Sequence, residues 1–156
     1  MSRNLNYLLE EGPPGAVSEI SDAWTDDLIE RQLALALAVL PLNALVLRDL
    51  AQIFCNARSE QVKRTLMRAV DAPVRQLSQS NQAVLELIRD CPTNCETFVT
   101  RVLHTLTDKR GVEPQLLDSI RSLMESEKRD IRFVIPVLGA LSKTFVSYFY
   151  LILIFS

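Results

Sequence analysis

The chain has 156 residues, 48% of them hydrophobic and 23% charged, with four glycines, three cysteines and one histidine. That length suits one globular domain that buries about two-thirds of its unfolded surface. The 17 basic and 19 acidic residues leave a net charge of -2, which excludes a bulk basic field for a polyanion, and zinc sites, charge-relay triads and phosphate-cradling loops are starved of the residues they draw on.

Residues 1–23 lack helical or strand periodicity, contain Gly12-Pro13-Pro14-Gly15, and read as a flexible acidic lead-in. Residues 1–30 hold seven acids against Arg3, whereas the rest of the chain holds 12 acids against 16 bases. The glycine-proline run breaks any signal-peptide core at the start, so Cys55, Cys91 and Cys95, an odd count, are expected to be reduced thiols inside a cell.

From Trp24 onward the apolar positions recur at helical spacing, and almost nothing alternates with the period of two that a half-buried strand requires. Thr25 caps the first predicted helix, Trp24 and Ile29 form a hydrophobic staple, and Leu33 to Leu40 is apolar on every side, which places the helix inside. Asn43 caps a second, with Val46, Leu47, Leu50, Ile53, Phe54 and Ala57 in one stripe. A third runs from Ser59 to about Asp71, with Val62, Leu66, Ala69 and Val70 inward and Arg64 and Arg68 on the far face. Pro73 interrupts, and Ser80 caps a fourth helix carrying Val84, Leu85, Leu87, Ile88 and Cys91.

In the fifth, Thr93 and Glu96 fit a capping box, and Cys95, Phe98, Val99, Val102, Leu103 and Leu106 form one stripe that Gly111 closes. Pro114 opens a sixth with Leu116, Leu117, Ile120, Leu123 and Met124. A seventh, from about Arg129, puts Ile131, Val134, Ile135, Leu138 and Leu141 on one face and Phe133 and Val137 on the other, with a kink at Pro136. The odd-numbered helices begin near 25, 59, 94 and 129, steps of 34, 35 and 35 residues. The expected fold is all-α, a HEAT-like α-solenoid of antiparallel helix pairs, with an irregular helical bundle as the alternative.

Few constellations carry chemistry. Cys91 and Cys95 resemble half a metal site, but Pro92 and the cap lie between them and no second Cys or His pair completes it, so they read as buried small residues flanking a turn. His104 falls on the solvent side of the fifth helix with no orienting partner, which leaves it as a partner contact; no catalytic set, metal or cofactor is expected. Arg58, Lys63, Arg64, Arg68 and Arg75 form the densest basic stretch. No aromatic interleaves with them to stack RNA bases, so they read as a solvated face whose members Lys63, Arg64, Arg68 and Arg75, with His104, are the candidate partner-binding residues. Arg129, Asp130 and Arg132 are expected to pair with neighbouring repeats.

Three stretches together resemble the C-terminal domain of the symplekin family: EQVKRTLMRAVDAPVRQL (Glu60 to Leu77), LIRDCPTNCETFVTRVLHTLTDK (Leu87 to Lys109) and DIRFVIPVLGAL (Asp130 to Leu141). The likeness extends more weakly through Trp24 to Leu40, so it covers residues 24–143, read as one helical-repeat domain. It implies a non-enzymatic nuclear scaffold of pre-mRNA 3′-end cleavage and polyadenylation, including histone mRNA processing, with a junctional pool. The implied partners are subunits of the cleavage and polyadenylation specificity factor, namely the endonuclease and its inactive paralogue, and the cleavage stimulation factor. An RNA-binding helical repeat protein and a tail-anchored membrane protein are the alternatives.

Residues 144–156, TFVSYFYLILIFS, depart from the family: they carry no charge and hold five of the ten aromatics. This run is shorter than the roughly 20 residues a spanning helix needs, so it reads as a buried last helix or an exposed, aggregation-prone end rather than a membrane anchor. It is expected to come from a truncated or intron-retaining gene model.

Overall fold

Thr25 opens the first helix as its position implies: the hydroxyl accepts the Leu28 N–H at 3.4 Å, ahead of an alanine- and leucine-rich run with no internal breaker. The structure, a computed structural model, describes residues 25–125 and 131–140 together with 147, 150, 151 and 154. Trp24 of the expected staple, the lead-in, Arg129, Asp130, Leu141 and the side chain of Ile131 lie outside the described residues.

The fold is all-helical, with no strand among the described residues. Its elements are α1 (Asp26–Val39), α2 (Val46–Asn56), α3 (Glu60–Ala69), the single turn α4 (Asp71–Val74), α5 (Gln82–Arg89), α6 (Glu96–Thr107) and α7 (Pro114–Glu125), followed by 3₁₀ segments at Ile131–Phe133 and Ile135–Ala140. α1 packs on α3, α4 on α6, and α6 on both 3₁₀ segments; α2 packs on α5, and α5 on α7. One apolar core runs through all of these contacts, from Ile29, Leu33 and Leu40 to Phe133, Val134 and Val137.

All six apolar positions assigned to α6 are enclosed, and most of the stripe positions of α2, α3, α5 and α7 are buried, but Val46, Ala57, Ala69, Cys91 and Leu117, expected inward, are only half-buried because they lie at the margins of their stripes. α1 departs further, because Leu33 to Leu40 is not enclosed on every side. α2 and α3 cover one side of it and bury Ile29, Leu33, Ala36 and Leu40, while Leu35 is 61% exposed.

The ends of the elements depart from expectation where backbone geometry decides. Asn43 does not cap α2: Leu45 is the residue that precedes the helix, and the Asn43 side chain instead accepts the Leu45 N–H at 3.2 Å in a tight turn before it. Pro73 does not interrupt the chain; it lies within α4, a single turn in which its missing N–H leaves no ladder bond unmade. Asn81, rather than Ser80, caps α5 by accepting the Ala83 N–H at 2.9 Å, since its extended backbone points the amide oxygen at the first turn.

The Thr93–Glu96 capping box is not made. Asn94 takes φ 68°, a left-handed conformation that asparagine tolerates, and this turn makes Cys95 the residue that precedes α6. The C-terminus of α6 is closed by Lys109 at φ 58°, one residue past the Asp108 cap, rather than by Gly111. Beyond α7 the expected kinked helix is two 3₁₀ pieces that break at Val134, with Pro136 inside the second, and the faces are regrouped. Phe133, Val134 and Val137 are buried together, and Ile135 and Leu138 are exposed.

Candidate functional site

The polar contacts between helices are bonds between residues 27 to 42 positions apart in sequence. Asp26, in the first turn of α1, accepts from Thr65 Oγ1 at 2.6 Å, from Arg68 Nη2 at 2.6 Å and from Gln61. The Thr65 hydroxyl, with the Arg68 guanidinium next, holds the Asp26 carboxyl below the ordinary carboxylate value. The same pattern recurs at Asp71, which opens α4 and accepts from Arg101 Nε at 2.9 Å and Thr105 Oγ1 at 3.0 Å. Its carboxylate raises the Arg101 pKa further. A third unit follows, with Arg132 bonded to Thr97 Oγ1 at 3.2 Å and facing Glu96 at 3.9 Å. This agrees with the expected structural role of Arg132.

Gln79 is 2% exposed, and its side chain makes three bonds between the same neighbours. The amide donates to the carbonyls of Leu106 at 3.0 Å and Gly111 at 2.9 Å, and its oxygen accepts the Glu113 N–H at 2.9 Å. Arg110 donates to the Arg75 carbonyl at 2.7 Å.

The five candidate partner-binding residues do not form one patch. Lys63, Arg64 and Arg68 line a groove of 650 Å³ whose floor is Phe54 and Met67. Arg75 and His104 line a second cleft of 480 Å³. Arg101 lines both and joins them, yet it was not among the sequence candidates. A signal for it exists: threonine and arginine one turn apart, Thr65 with Arg68 and Arg101 with Thr105, each serve an acid in the preceding unit.

A simple solvated face is also not what these cations make. Arg68 pairs with Asp26, Arg75 with Asp108 at 3.7 Å, Arg101 with Asp71, and Lys63 with Glu60 at 3.3 Å. Arg64 donates only to the Gln61 amide oxygen, at 3.4 Å, and has no carboxylate partner among the described residues. His104 is exposed, as its place on α6 requires.

The reading of three separate reduced thiols gives way at two positions. Cys55 of α2 and Cys95 beside α6 meet with their Cα atoms 5.4 Å apart and are paired as a disulfide across 40 residues, while Cys91 stands outside that pair. Among the described residues no three His, Cys, Asp or Glu side chains gather to hold a metal ion, and no helix is long and apolar enough to cross a membrane. In the apolar tail, Tyr150, Leu151 and Ile154 are exposed, and its other apolar residues lie outside the described residues. No family model matches the chain, and no solved structure matches it.

Proposed function

We propose that the chain is a non-enzymatic protein–protein scaffold of the symplekin type, an α-solenoid of antiparallel helix pairs that assembles subunits of the nuclear pre-mRNA 3′-end cleavage and polyadenylation machinery. The observation that carries this reading is the repeated bond spacing. Asp26–Gln61, Arg75–Arg110 and Thr97–Arg132 are each 35 residues apart, and Asp71–Thr105 and Gln79–Glu113 are each 34 apart. These separations match the steps between Asp26, Glu60, Glu96 and Ile131, where the first element of each unit begins. These hydrogen bonds join one unit to the next, which supports a stacked arrangement whose extended surfaces serve other helices and extended segments, while Phe54–Phe98 and Cys55–Cys95 also tie the first unit to the start of the third.

The resemblance at Glu60–Leu77, Leu87–Lys109 and Asp130–Leu141 supplies the particular partners: the endonuclease and its inactive paralogue within the cleavage and polyadenylation specificity factor, and the cleavage stimulation factor. The test is co-expression of the full chain with the C-terminal domains of the endonuclease and its paralogue, read by size-exclusion chromatography. Co-elution is the expected result. A folded, helical chain that elutes alone in the presence of both domains, and of the cleavage stimulation factor, refutes the reading.

A further inference from the structure

We propose that the groove between α3 and the start of α6 is a docking site for a short acidic peptide segment carrying an apolar anchor. This rests on the scaffold reading and names the class of partner segment that one of its surfaces takes. The groove is 650 Å³, large enough for a few side chains, and its lining combines apolar and cationic side chains. Phe54 and Met67 make an apolar floor, and Lys63, Arg64, Arg68 and Arg101 make a cationic rim.

Phe54 is fixed from behind by the Phe98 ring, with centroids 5.6 Å apart, and the Lys63 ammonium stands 5.8 Å from its centroid. Met67 is half-buried and unbranched, so it can adapt to the shape of an entering apolar group. Charge complementarity selects the occupant. Glu60, Asp26 and Asp71 offset Lys63, Arg68 and Arg101 in turn, which leaves Arg64 without a carboxylate among the described residues. Arg68 and Arg101 remain 64% and 45% exposed in their pairs, so their guanidinium groups have donors left for incoming carboxylates. A nucleic acid fits the same surface poorly, because Phe54, the one aromatic in the lining, is 7% exposed and leaves too little of its ring open for a base to stack on.

The test is fluorescence anisotropy with the full chain and a fluorescein-labelled peptide that has a central Leu-Phe pair between two runs of Glu. Saturable binding is expected, weakened at least about tenfold by Arg64→Glu together with Lys63→Glu, with the helical circular dichroism unchanged. Met67→Asp, which puts a charge in the floor and leaves the rim intact, is a second variant expected to weaken binding. An all-Glu peptide of the same length should bind at least about tenfold more weakly.

Equal binding of the all-Glu peptide overturns the proposal, since the floor then contributes nothing. So does oligouridylate that displaces the peptide at comparable concentration, and so does a folded Lys63/Arg64 double variant that binds as well as the parent. If that variant still co-elutes with the endonuclease domains while peptide binding to the parent is absent, the groove assignment fails and the scaffold reading stands.

Discussion

Replacing Gln79 by leucine removes an amide that closes two helix ends at once, and the cost follows from what is left behind. Leu106 O belongs to the last turn of α6, where the residue four positions on, Arg110, gives its N–H to Thr107 instead. Glu113 N–H immediately precedes Pro114, the first residue of α7, and is one of that helix's own orphan donors. Gln79→Leu keeps the size of the side chain but orphans both groups together with Gly111 O. Three neutral bonds at about 1 kcal/mol net each, with the buried Leu106 carbonyl at the high end, give a loss of roughly 3 kcal/mol.

Urea unfolding followed by far-UV circular dichroism measures the loss as a shift in midpoint at constant slope. Gln79→Glu is the sharper control. At neutral pH its carboxylate has no hydrogen to give to the two carbonyls, so the loss should equal or exceed that of leucine; on acidification the protonated carboxyl regains one donor and the gap should narrow. A loss below about 1 kcal/mol for Gln79→Leu would mean that water replaces the amide, and the argument that Gln79 fastens neighbouring units fails.

Phe98→Ala should cost roughly 3–5 kcal/mol in the same assay, because the ring is 0% exposed and backs Phe54; a near-neutral result would show that this contact is not core. The Asp26 carboxyl, held below 3.8, contributes stability that is present above that value and lost as pH falls through the lower folded value. Asp26→Asn should therefore lower the thermal midpoint at neutral pH and flatten its acid limb, and an unchanged acid limb refutes the assignment. Asp49 carries the opposite sign: burial pushes its carboxyl up from 3.8, so the charged form is penalised in the fold. Asp49→Asn should raise the midpoint at neutral pH, with the gain disappearing below the unfolded carboxylate value. The Cys55–Cys95 pairing predicts one titratable thiol, Cys91, in the denatured non-reduced protein and three after reduction; three without reductant would show the pair is not formed.

Up to α7, helix existence and most inward positions were legible because they depend on periodicity, which a single sequence displays: Cys95, Phe98, Val99, Val102, Leu103 and Leu106 are buried as spaced, whereas beyond α7 the 3₁₀ segments regroup the faces. Helix ends were not legible, because they turn on one residue's backbone. Asn94 and Lys109 adopt positive φ where Thr93 and Gly111 were the stronger compositional candidates. The outward side of α1 misled for a different reason, since an all-apolar run specifies burial only if neighbours enclose it, and Leu35 has none over it among the described residues. At the site, the cations were legible as residue types, but their pairing with acids a period away was not. Arg101 was missed because it becomes basic lining only when α6 is laid beside α3.

Under the proposed scaffold reading, those pairings let one surface align neighbouring helices and still offer charge to a partner. The Asp26–Arg68 and Asp71–Arg101 pairs lie at the surface, where solvent screens ion pairs, so they align helices already held by the apolar core rather than hold them together. A guanidinium in such a pair can accept a partner carboxylate at little cost to the fold. Arg64 has no carboxylate to give up, so a charge reversal there acts on recognition alone, whereas reversal at Arg68 also sets two carboxylates against each other at Asp26. Arg64→Glu and Arg68→Glu should therefore weaken partner binding alike but differ in thermal midpoint, with only the second lowered. Equal midpoints would mean that the Asp26 contact does not align α1 on α3, and the bond spacing would lose its structural meaning.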